Sequence, residues 1–126
     1  SKIGLIPDSG GTYFLPRLVG WQKASALAML GDKVTADEAE RMGMIYKVFA
    51  DDVFEQETKK IGATLAAMPT QGLAYTKQLL NISFYTSFED QLQEEDVFQQ
   101  RAALTNDYAE GIGAFLEKRK PVFKGE

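Results

Sequence analysis

Ile3-Gly4-Leu5-Ile6-Pro7-Asp8-Ser9-Gly10-Gly11-Thr12 is the stretch on which the reading turns. Lys2 to Pro7 reads as the end of a buried strand running into a turn. The next strand candidate, Met44 to Phe49, lies far along the chain, and two short strands make no sheet of any size. The expectation is therefore a chain that begins in the middle of a larger fold.

Outward from this turn the pattern is helical. Gly10 to Leu15 suits a short helix that Pro16 breaks or kinks, and Gln22 to Leu30 suits a second, ended by Gly31. Thr35-Ala36-Asp37-Glu38 is a capping box opening a helix that stops at Gly43. Asp52 to Ala67 sets Phe54, Thr58, Ile61, Leu65 and Met68 on one face at spacings of three and four. Thr70 to Phe84 repeats the pattern with Leu73, Thr76, Leu80 and Phe84. Ser87 opens a helix to about Thr105, and Asp107 with Glu110 is placed to cap the last one. Gly111 and Gly113 inside that helix cost about 1 kcal/mol each against Ala, which predicts close packing on another backbone, such as another subunit. The division expected is residues 1–50, carrying the turn, and residues 51–126, a helical region.

Composition narrows the chemistry. The 126 residues carry a net charge of -4, with 44% hydrophobic and 25% charged residues, the proportions of an ordinary globular domain. That charge makes no case for nucleic acid. Cysteine is absent, which removes disulfides and thiolate chemistry. Histidine is absent too, and with it the commonest general base and metal ligand. No apolar run approaches the ~20 residues of a membrane span, and nothing resembles a signal peptide. A cytoplasmic protein is the default expectation.

Three groups of residues could carry chemistry. Asp8 follows a strand and stands at the mouth of a helix, where burial would raise its pKa and the helix terminus would lower it. The plainer alternative is that Asp8 or Ser9 caps the helix. The basic run Lys118-Arg119-Lys120, with Lys124, either complements a helix C-terminus or binds phosphate. The acidic residues Glu89, Asp90, Glu94, Glu95 and Asp96 suit a solvated helix face better than a metal site.

These motifs resemble the crotonase superfamily, the enoyl-CoA hydratases and isomerases. The turn is followed by Leu15-Pro16-Arg17-Leu18-Val19-Gly20. Leu30-Gly31-Asp32, Ala36-Asp37-Glu38-Ala39 and Gly43-Met44-Ile45 match in order, and Ala114 to Gly125 resembles the family's C-terminal motif. The resemblance covers essentially the whole chain. It implies a mainly α fragment of the crotonase-like α/β fold: several amphipathic helices with one or two short strands.

The resemblance also implies a function. The family acts on acyl-CoA thioesters, stabilising an enolate-like oxygen with backbone N–H groups and moving protons with carboxylates. It implies no cofactor beyond the substrate's own coenzyme A. It also implies a homotrimer or hexamer, with the C-terminal helices between subunits. The Asp8 position is usually Gly in hydratases. Asp there resembles the dienoyl-CoA isomerases, the ring-epoxide isomerases of phenylacetate breakdown and the dehalogenases, in which it shuttles a proton or attacks as a nucleophile. The phenylacetate branch is the nearest in wording. Phe115 and Lys118 match positions that contact the CoA of a neighbouring subunit.

The oxyanion-hole donors and the two hydratase glutamates have no counterpart here, so the chain alone is expected to be inactive. An enoyl-CoA hydratase of fatty-acid oxidation and a non-catalytic oligomerisation module are the alternatives.

Overall fold

The computed structural model describes all residues, Ser1–Glu126. They form seven α-helices: α1 (Gly11–Val19), α2 (Trp21–Leu30), α3 (Ala36–Arg41), α4 (Asp51–Ala66), α5 (Thr70–Ile82), α6 (Phe88–Ala103) and α7 (Asn106–Leu116). Two compact units result, Ser1–Phe54 and Glu55–Glu126, each with its own packing.

No strand forms, contrary to the one or two expected. Lys2 to Pro7 is turn and coil, and Met44 to Phe49 is bend and coil. A ladder needs a partner for its N–H and C=O groups, and these residues offer none. Ile3 and Ile6, read as buried strand residues, are instead 83% and 82% exposed.

In the first unit, α1 packs on α2. Pro16 does not end α1; the helix continues through it to Val19. The Thr12 carbonyl forgoes its usual partner there, because proline has no N–H. Gly20 separates the two helices, and its N–H donates to the Pro16 carbonyl at 3.0 Å. Gly31 ends α2 in the left-handed conformation, φ 64°, as its position predicts. The Thr35 capping box is present. The Glu38 N–H donates to Thr35 Oγ1 at 3.3 Å and the Thr35 N–H to Glu38 Oε2 at 3.0 Å. That backbone donation, with the Thr35 hydroxyl, holds the Glu38 carboxyl below its usual range.

In the second unit, α6 packs against both α5 and α7. Phe98 is its one large buried side chain and meets the Tyr75 ring at 5.4 Å. Gln91 fixes the α5–α6 turn: Nε2 donates to the Leu79 carbonyl at 3.2 Å and Oε1 accepts from the Thr86 hydroxyl at 2.8 Å. Ser87 caps α6 by accepting the Asp90 N–H at 3.1 Å.

The faces of α4 and α5 predicted from spacing are present but uncovered. Phe54 and Leu65 of α4, Leu80 of α5 and Phe84, in the turn past the end of α5 at Ile82, are all exposed. The buried apolar set is only Ala24, Ala39, Phe98 and Ala114. No helix is long and apolar enough to cross a membrane.

Candidate functional site

Two places gather the residues singled out by sequence, one in each unit. In the first, the Asp8 carbonyl accepts the Gly11 N–H at 2.8 Å. The two residues between them, Ser9 and Gly10, have φ of 51° and 85°. Two successive positive φ values are the signature of a type I′ turn. Glycine takes such a value freely; serine does so at a cost.

This turn removes the capping reading. The N-cap of α1 is Gly10, and no side chain bonds the helix terminus. Neither the Asp8 carboxylate nor the Ser9 hydroxyl is engaged there. Asp8 is also exposed rather than partly buried, because the segment before it lies uncovered. Pro7, Gly11 and Thr12, on either side of Asp8, line a groove of about 580 Å³ walled by Phe14, Leu18, Trp21 and Met44. The chain neighbours of Asp8 thus line an apolar groove, while no helix terminus engages its carboxylate.

The second place is the end of α7. The structure corrects the expected cap: Thr105 caps α7, accepting the Tyr108 N–H at 3.1 Å. Asp107 lies two residues past the cap position, inside the helix. It is buried, 3% exposed, and its two oxygens accept the N–H groups of Lys124 and Gly125 at 2.7 and 2.8 Å. Glu110 accepts both terminal nitrogens of Arg119, at 2.6 and 2.8 Å, and the Val122 N–H at 2.8 Å. The Arg119 guanidinium, with the Val122 amide, holds the Glu110 carboxyl at about 2. The same pairing pushes the Arg119 pKa up.

Within the chain, Gly111 and Gly113 face side chains of the tail. A Cβ on Gly111 would meet the Phe123 ring at 3.6 Å, and one on Gly113 the Arg119 guanidinium at 3.8 Å. Of the basic run, Arg119 is spent on Glu110 and Glu117. Lys118, Lys120 and Lys124 are exposed; Lys124 adds its charge to the field at Glu110. Phe115 is 82% exposed beside a groove of about 400 Å³ that it lines with Tyr108, Ile112, Leu116 and Phe123. No three acidic side chains come together as a metal site, the run Glu89 to Asp96 included.

Lys118 has φ 54°. With Ser9 it is one of two non-glycine residues with positive φ in the chain. One adjoins Asp8; the other is itself a candidate. Sequence reasoning had no signal for either strain. It also missed Asp107 and Glu110 as tail anchors, although their i, i+3 spacing puts them on one face of α7.

A family profile described as enoyl-CoA hydratase/isomerase matches residues 1–126. The chain belongs to this family. Among enoyl-CoA hydratase/isomerase relatives, the 1,2-epoxyphenylacetyl-CoA isomerase of Escherichia coli K12 is 41% identical over 126 residues, covering 100% of the chain and 48% of the relative. The trans-2-decenoyl-[acyl-carrier-protein] isomerase of Streptococcus mutans is 32% identical over 125 residues, 99% of the chain and 48% of that protein. The 2,3-dehydroadipyl-CoA hydratase of E. coli K12 is 34% identical over 123 residues, 98% of the chain and 48% of that protein.

Among solved family structures, the enoyl-CoA hydratase of Bacillus anthracis superposes with a TM-score of 0.93 at 30% identity, covering 99% of the chain and 48% of that protein. The enoyl-CoA hydratase/isomerase of Cupriavidus metallidurans CH34 does so with a TM-score of 0.91 at 34% identity, 98% of the chain and 47% of that protein. The chain spans about half the length of the relatives it matches.

Proposed function

We propose that the protein carrying this sequence is an acyl-CoA isomerase in which the Asp8 carboxylate moves the proton. The observation that carries this reading is the turn at Asp8. Its carboxylate is released from helix capping, and its neighbours Pro7, Gly11 and Thr12 line an apolar groove. Such a group can take a proton from one atom of a bound thioester and return it to another. Stabilising the enolate oxygen is the larger electrostatic task and belongs to the whole enzyme. The 41% identity to 1,2-epoxyphenylacetyl-CoA isomerase makes the ring epoxide of phenylacetyl-CoA the first substrate to try. Phe115 and Lys118 are assigned to the coenzyme A moiety, Lys118 through a charge-assisted contact to phosphate. Assembly through the uncovered apolar faces into a homotrimer or hexamer belongs to the same reading, as does work in the cytoplasm without a further cofactor.

The test is Asp8→Asn in the native polypeptide, assayed for isomerisation of 1,2-epoxyphenylacetyl-CoA. Turnover should fall by ~100-fold or more, the scale of a lost acid/base group. Unchanged turnover would refute the role of Asp8. The 34% identity to 2,3-dehydroadipyl-CoA hydratase supports a second reading, hydration of a 2-enoyl-CoA. A protein that hydrates such a substrate, and does so equally well in its Asp8→Asn variant, supports that reading instead.

A further inference from the structure

The last nine residues fold back along α7 as a strap, and one face of that helix is built to hold it. Asp107, Glu110, Gly111 and Ala114 stand at i, i+3, i+4 and i+7, a single face. Asp107 binds the N–H groups of Lys124 and Gly125, and its own N–H donates to the Glu126 carbonyl at 2.9 Å. Glu110 binds Arg119 and the Val122 N–H. Gly111 receives the Phe123 ring, and Ala114 is 1% exposed. From the other side, Gln71 Nε2 of α5 donates to the Gly125 carbonyl at 3.2 Å.

The strap starts from a strained residue. The Lys118 N–H donates to the Phe115 carbonyl at 3.2 Å and the Arg119 N–H to the Ala114 carbonyl at 3.0 Å. This bond pair is a Schellman motif, and it places Lys118 at the left-handed position where glycine is the usual residue. Lysine there carries the cost of a left-handed backbone, which singles out its side chain as a candidate for function.

We propose that Asp107 and Glu110 are positioning residues: by latching the strap to α7 they fix where Lys118 and Phe115 stand for a phosphate-bearing thioester. The inference rests on the reading that gives these two residues to coenzyme A, and adds the device that holds them. Without the latch, the turn at Lys118 is free to relax, and the ammonium loses its set place. The acyl end of the substrate is untouched by that loss.

Glu110→Gln and Asp107→Asn in the native polypeptide test this, each assayed with a CoA thioester and with the matching pantetheine thioester, which has no phosphate. KM for the CoA ester should rise about tenfold, the equivalent of one lost charge-assisted bond, with little change in kcat. The pantetheine ester should show no such rise. Equal losses on both esters would make the latch merely structural and overturn the proposal. Glu110→Gln, on the half-exposed side, keeps the test alive where the buried Asp107→Asn fails to fold. Lys118→Ala separates the two layers. A raised KM there with normal KM in Glu110→Gln overturns the latch alone. A normal KM in Lys118→Ala overturns the coenzyme A reading of the tail and the latch with it.

Discussion

Replacing Lys118 by glycine should stabilise the protein, and replacing it by alanine should not. Residue 118 has φ 54°, where a Cβ crowds the following carbonyl at a cost of roughly 1–2 kcal/mol. Alanine keeps that cost; glycine removes it, and gives back part of the gain through its freer unfolded chain. The net advantage of Lys118→Gly over Lys118→Ala is about 1 kcal/mol. Comparing the two variants with each other cancels the lysine stem and its charge. With a urea slope of ~2 kcal/mol/M, the unfolding midpoint should differ by about 0.5 M, read by far-ultraviolet circular dichroism. Adding Asp107→Asn to both should shrink the gap, since a loosened strap lets residue 118 relax. An alanine variant as stable as the glycine variant would refute the claim that the strap holds this backbone in a strained state.

The remaining expectations concern the ends of the helices and the strap. Thr35→Ala removes the cap of α3 and should cost about 1 kcal/mol, visible in the same urea unfolding. Gly125→Ala should destabilise by about 1–3 kcal/mol, the scale of a residue forced into a sparse backbone region. Its Cβ would fall 2.5 Å from Thr70 Oγ1 at φ 79°. Thr70→Ala should recover only the part due to the clash, as the unfolding midpoint of the double variant will show. The Glu110 carboxyl titrates at about 2, below its ordinary value of 4.5, so its contribution to the folded state is complete above 4.5. That contribution is lost as pH falls from 4.5 through 2. An NMR titration of the Val122 amide should report release of the strap in that window, and the Glu110→Gln variant should not show it.

What could be read from the sequence was local. The Thr35 box, the Gly31 end of α2 and the Ser87 cap depend on contacts within a few residues, and the side chains that make them are fixed by chemistry. The strands were read from apolar character at Lys2 to Pro7, yet a strand is a relation between two segments. Ile3, Leu5 and Ile6 have the composition for one and no partner among these residues. Pro16 misled in the other direction. The rule that proline ends a helix counts one lost bond and one clash, whereas α1 is held by its packing on α2.

The site divided along the same line. Asp8 is singled out by its place after an apolar segment, but only the backbone could decide whether it caps the helix. The deciding feature, positive φ at both Ser9 and Gly10, hands the cap position to a residue with no side chain. At the other end, Asp107 and Glu110 have the composition of a helix cap and were read as one. Their partners are Arg119, Val122, Lys124 and Gly125, nine to eighteen residues away. The sequence carries a trace of that pairing in the run Asp107, Glu110, Gly111 and Ala114, a face with no large apolar side chain. A helix face that sets two carboxylates before a glycine and an alanine is suited to receiving a backbone, because the carboxylates take its N–H groups and the small residues let it approach. The strained Lys118 follows from that face: once the strap is drawn onto α7, the chain must reverse at the helix end, and the residue at the reversal takes the left-handed turn whatever its side chain.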